Sequence, residues 1–138
     1  MLVIYLGTAD DAIALQAIKR ILLRTTDEQV TVTCLYQLSK MAHPESLRLL
    51  RIHLEHPNWL IQLHAVAGVG RLGSEADIAD LSRMLRHRQY WIRVRAAQAL
   101  SKLPTMTIDR LREIRESETD LYARDILTEV ISNTGVAA

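Results

Sequence analysis

A chain of 138 residues is one domain's worth, enough to bury a core without disulfide staples. Apolar residues make up 49% and charged residues 24%, and a net charge of +1 excludes a molecule that attracts nucleic acid by its overall field. The single cysteine, Cys34, excludes a disulfide framework and any CxxC site, and the dominance of Leu, Ile and Ala without a single Phe favours helix over sheet.

Taken in chain order, the first apolar run, Leu2 to Leu6, is far shorter than a membrane span and lacks the basic flank of a signal peptide. The chain therefore reads as soluble and cytoplasmic. Residues 1–24 read as a partial repeat, because "YLGTADDAIAL" (Tyr5 to Leu15) parallels "RLGSEADIADL" (Arg71 to Leu81). The expectation is a chain that opens near the end of a helix, as a fragment of a longer protein or as a degenerate cap. Three units then follow at about 25–55, 56–86 and 87–117, with a terminal partial unit at 118–132 and a frayed tail at 133–138.

The units are visible as self-similarity. "LEHPNWLIQLHAVAGVGRLG" (Leu54 to Gly73) moved 31 positions lands on "LRHRQYWIRVRAAQALSKLP" (Leu85 to Pro104). Moved back by the same step, it lands on Leu23 to Ala42. Cys34, Ala65 and Ala96 share one position, and so do Val32, Leu63 and Val94. A fixed period in both directions marks a repeat architecture. Within each unit the pattern splits into two helices. In the middle unit the first runs about Asn58 to Leu72 and the second about Glu75 to Leu85, with Ile78, Leu81 and Leu85 as one apolar stripe. Its counterparts carry Leu47, Leu50 and Leu54, and Ile108, Leu111 and Ile114.

Start and stop signals agree. Pro44 and Pro57 suit first turns, and Gly73-Ser74 followed by Asp77 suits a helix end and a new capped start. Lys40, Arg71 and Lys102 fall in last turns, where a cation complements the helix dipole. The expected fold is all-α, one domain over 1–138: a right-handed α-solenoid of about four stacked antiparallel helical hairpins. Ala96, Ala97 and Ala99 are then small because their helix is packed on several sides, and Gly68 and Gly70 because helices cross closely there.

At "WIRVRAAQALSKL" and "WLIQLHAVAGVGRLG" the chain resembles HEAT-repeat proteins, in the short, about 31-residue form of the phycobilin-lyase type. The resemblance extends from about Asp27 to Ile131 and implies a scaffold built from helical hairpins. Deoxyhypusine hydroxylases of this fold hold two irons with His-Glu pairs, whereas here His64 is followed by Ala65 and no His-Glu dipeptide occurs. HEAT-like alkylpurine DNA glycosylases use aromatics and an acid in a basic groove, and no such motif maps onto Trp59, Tyr90 and Trp91. A phycobilin-lyase-like subunit is implied by repeat type alone.

The residues themselves offer two surfaces. No acid lies between Asp80 and Asp109, while Arg83, Arg86, Arg88, Arg93, Arg95 and Lys102 do, with Tyr90 and Trp91 among them. Arginine with aromatics suits phosphate surfaces and protein interfaces alike. Against this stands a structural reading in which Arg93 or Arg95 pairs with Asp77 or Asp80. Second, Arg20, Arg51, Arg83 and Arg115 recur at steps of 31, 32 and 32, a ladder on second helices that are expected to line the concave face. Its structural reading is pairing with Asp80, Glu55 and Glu116.

No Gly-rich phosphate loop, GxSxG or Ser-His-Asp order is present, so no catalytic residue is assigned. His53 and His56 lie i, i+3 with no completing ligand, so no metal or cofactor is expected, and Cys34 reads as a buried packing thiol. The expected function is a non-catalytic adaptor for an acidic or phosphorylated protein or peptide partner. Its candidate contacts are Arg20, Arg51, Arg83, Arg86, Arg115, Tyr90 and Trp91. The alternatives are a nucleic-acid-binding domain and a phycobilin-lyase-like subunit.

Overall fold

Most of the helices begin where a side chain supplies an acceptor for an unpaired amide. The computed structural model describes residues 11–137, with side chains through 134. Its eight α-helices are α1 (Asp11–Arg24), α2 (Glu28–Ser39), α3 (Pro44–Ile52), α4 (Trp59–Leu72), α5 (Ile78–Met84), α6 (Tyr90–Lys102), α7 (Ile108–Ser117) and α8 (Leu121–Ala137). Asp27 accepts from the Val30 amide, Asn58 from Leu60, and Thr107 from Arg110. Ser74 and Asp77 form the reciprocal capping box that their spacing predicts. Pro44 occupies the first turn of α3, as expected. Pro57 instead lies outside α4, one residue before the Asn58 cap, because the asparagine side chain claims the cap position. α8 runs on to Ala137, through the segment expected to fray. Most of the Tyr5–Leu15 stretch lies outside the described residues.

In chain order the helices run as α2–α3, α4–α5 and α6–α7, with α1 and α8 at the two ends, an all-α solenoid in which α3 packs on α4, α5 on α6 and α7 on α8. Packing between units runs through the first helices: α2 on α4, α4 on α6, and α6 on α8. The second helices stand further apart and are bridged by ion pairs. Arg51 of α3 reaches Asp77, Arg83 of α5 reaches Glu55, and Arg110 of α7 reaches Glu75. The closely packed row, α2, α4 and α6, is called the inner row below, and α3, α5 and α7 the outer row.

Small residues set the close row. Cys34, Ala65 and Ala96, which share one repeat position, are fully buried. A Cβ added to Gly70 would lie 2.7 Å from the Cα of Ala99, so α4 meets α6 nearly backbone to backbone. A Cβ at Gly68 would meet only the end of the Leu50 side chain. The core is one continuous cluster from Leu15 to Ile131, and full burial of each Leu or Ile in it contributes about 1.5–3 kcal/mol.

Candidate functional site

Three surfaces carry the chain's reactive and charged groups. The first is the arginine ladder. Arg51 holds the most deeply buried acid of the ladder. Its guanidinium grips Asp77 through two hydrogen bonds of 2.7 and 2.9 Å, and Asp77, 2% exposed, also accepts from the Ser74 amide. Arg83 pairs with Glu55 across the repeats and with Asp80 on its own helix. Arg115 pairs with Glu116. Arg20 lies apart, beside Ile21, Arg24 and Val30 at the α1–α2 edge. The ladder is thus a row of cations, three of which already hold the chain's own acids.

The second surface is the start of α6. Tyr90 and Trp91 are 51% and 58% exposed and meet edge to face at 5.3 Å. Trp59, at the same repeat position as Tyr90, instead packs partly against the core, so the two aromatics play different parts. Arg93 does not pair with Asp77 or Asp80. It stacks over Tyr90 at 5.5 Å and donates to the carbonyls of His87 and Arg88. Beside them a hollow of about 230 Å³ is lined by Arg86, His87, Arg88, Arg93, Asp120 and Tyr122. Arg86 closes onto Glu118, whose side chain is 5% exposed and also accepts from the Asp120 amide. Burial raises the Glu118 pKa, but Arg86 and these amides outweigh it and leave it below the usual carboxylate value.

The third surface was not anticipated. A groove of about 330 Å³ crosses the inner row, lined by Tyr36 and Ser39 of α2, His64, Ala67, Gly68 and Arg71 of α4, and Arg95, Gln98, Ala99 and Lys102 of α6. Arg71, Arg95 and Lys102 are exposed and form no ion pair among the described residues. Lys40 lies over the Tyr36 ring at 4.3 Å. The sequence held a signal for this site: Lys40, Arg71 and Lys102 recur at steps of 31 on helices almost free of acid. Reading them as dipole partners hid the fact that stacking aligns them side by side.

The histidines have structural roles. Nδ1 of His43, His56 and His87 each accepts from the amide two residues on, at 2.9–3.0 Å, and so tightens the turn into the next helix. His87 Nε2 donates to Gln62. Among the described residues no group of His, Cys, Asp or Glu could hold a metal ion. Cys34 is buried, and burial raises its pKa, the opposite of what a nucleophilic thiol needs. No helix among the described residues is long and apolar enough to cross a membrane.

A family profile described as HEAT repeats matches residues 15–101 and again residues 52–132. No curated protein matches the chain.

Proposed function

The chain belongs to the HEAT-repeat family, and from that premise we propose that it is a non-catalytic adaptor presenting an arginine-rich helical surface to an acidic or phosphorylated protein partner. HEAT repeats are commonly protein-interaction scaffolds. The observation that carries the reading is the exposed Tyr90–Trp91 pair with Arg86, Arg88 and Arg93 around it. Large rigid aromatics beside guanidinium groups are the composition of interface hot spots, where one side chain contributes about 2–4 kcal/mol.

The ladder supports this reading as a rim. An incoming carboxylate at Arg83 or Arg115 would replace an intramolecular ion pair with an intermolecular one, a near-neutral exchange at an exposed site. The test is capture from lysate of the source cells, with and without nuclease, using wild type, Tyr90→Ala/Trp91→Ala and Arg83→Gln/Arg115→Gln. The expected result is a nuclease-resistant protein partner kept by wild type and the ladder variant and lost by the aromatic variant. Recovery of nucleic acid alone would overturn the reading in favour of a nucleic-acid-binding domain. Retention by the aromatic variant would remove the α6 start from the interface.

A further inference from the structure

We propose that the groove across α2, α4 and α6 is a binding site for an acidic polypeptide segment, one that lays glutamate or aspartate side chains along Arg71, Arg95 and Lys102. The proposal rests on the reading of the chain as a module for acidic protein partners, and it assigns that chemistry to a different surface from the aromatic pair.

Four observations support it. First, cations are sorted by row. Those of α3, α5 and α7 hold acids of the same chain, whereas Lys40, Arg71, Arg95 and Lys102 on the inner row form no ion pair among the described residues. Second, the lining contains no acid, so nothing in it competes with an incoming carboxylate. Glu129 takes the corresponding register on α8, outside the lining. Third, the floor is Ala67, Gly68 and Ala99, small residues that let a backbone approach and that suit the methylene stems of glutamate. Tyr36 closes one end as a half-exposed aromatic wall.

Fourth, scale and charge distinguish polypeptide from nucleic acid. A hollow of about 330 Å³ takes a few side chains, not a duplex. On the outer row Glu45, Glu55, Glu75, Asp80, Asp109, Glu113 and Glu116 already occupy Arg48, Arg83, Arg110, Arg112 and Arg115, so a polyanion that wrapped the domain would gain little there. A short segment confined to the inner row meets cations alone. Each added carboxylate–guanidinium contact there is a charge-assisted bond with both partners gained new, unlike the exchange at the ladder.

His64 supplies a second signature. It lines the groove with Arg71, Arg95, Lys102 and Tyr36, and partial burial together with Arg95 holds its pKa below the ordinary imidazole value. Carboxylates entering the groove oppose that shift and favour the imidazolium, so binding is strengthened as pH falls.

The test is fluorescence anisotropy with a labelled twelve-residue peptide, three copies of Glu-Ala-Leu-Glu, against the full chain at low salt. A lysine-for-glutamate peptide and a twelve-nucleotide single strand serve as comparisons. The expected result is at least a ten-fold loss of affinity in Arg71→Gln/Arg95→Gln, less than two-fold in Arg83→Gln/Arg115→Gln, and tighter binding at pH 6 than at pH 7.5 that His64→Gln abolishes. Equal loss in the groove and ladder variants would overturn the proposal, as would a single strand that displaces the peptide. Tyr90→Ala/Trp91→Ala separates the two surfaces. Peptide binding intact there, with the cellular partner lost, supports the groove and the α6 edge as distinct sites. Peptide binding lost there and kept in Arg71→Gln/Arg95→Gln overturns the groove alone.

Discussion

Gly70 and Asp77 show how single residues hold this stack together. Gly70 lets α4 reach the backbone of Ala99, which cannot move aside. Gly70→Ala is therefore expected to cost about 2–3 kcal/mol through overpacking, despite the gain in helix propensity. Gly68→Ala presses only on the flexible end of Leu50 and is expected to cost less than half as much. Urea unfolding of both variants checks the order, and equal losses would show that the row is not set by Gly70. Asp77 is buried and joins two units, accepting from Arg51 and from the Ser74 amide. Asp77→Ala strands both donors and is expected to cost about 2–3 kcal/mol, and Arg51→Gln, which keeps the Ser74 cap, less. The sequence showed the capping box of Ser74 and Asp77 plainly. It did not show that the same carboxylate is also Arg51's partner, 26 residues away.

Helix α8 is fixed to the stack differently from its neighbours. Its start is tied by Glu118, which holds Arg86, just past the end of α5, and the Asp120 amide. The folded-state pKa of Glu118 is lowered. Its contribution is therefore complete above the unfolded carboxylate value and lost as pH falls through the folded one. Below about pH 4.5, the ordinary glutamate value, the α8 amides are expected to exchange faster than those of α4 and α6. Glu118→Gln should show the same loosening already at pH 7. Hydrogen exchange followed helix by helix measures both, and uniform exchange across the chain would show that α8 is not separately anchored. α4 and α6 were legible as helices from periodicity and punctuation alone. Which row is inner was not, because that depends on how closely whole helices approach, and Gly70 and Ala99 meet only in three dimensions.

Across the molecule, His87 ties two units, since its Nε2 donates to Gln62 of the preceding unit while its Nδ1 accepts from the Gln89 amide. His87 must stay neutral at Nδ1 to accept from Gln89, and burial, with Arg88 and Arg93 nearby, lowers its pKa. The contribution is complete above the unfolded histidine value near pH 6.5 and shrinks as pH falls through the folded value. Thermal midpoints are accordingly expected to drop from pH 7.5 to pH 5.5. His87→Asn keeps an acceptor that does not titrate and should flatten the drop. An unchanged slope would assign the pH dependence to other groups. The same scale explains the charge layout. A near-neutral total conceals an outer row of paired charges and an inner row of unpaired cations.

The sequence by itself determined the helical class, the 31-residue step, the order of the helices and the small residues at the crossings. These are local facts, written in spacing, caps and the sizes of neighbouring residues. The four-rung arginine ladder was equally visible, and so were Asp80, Glu55 and Glu116 as partners for it, but not whether those pairs form, nor Asp77 as the partner of Arg51. An arginine's charge is a property of its sequence, while its availability depends on which acid lies within about 4 Å, and here those acids come from other units. Tertiary structure alone decided that Arg51 and Arg83 are engaged and that Arg71, Arg95 and Lys102 face a shared groove. Stacking sets residues 31 apart side by side, and no reading of one helix at a time contains that distance.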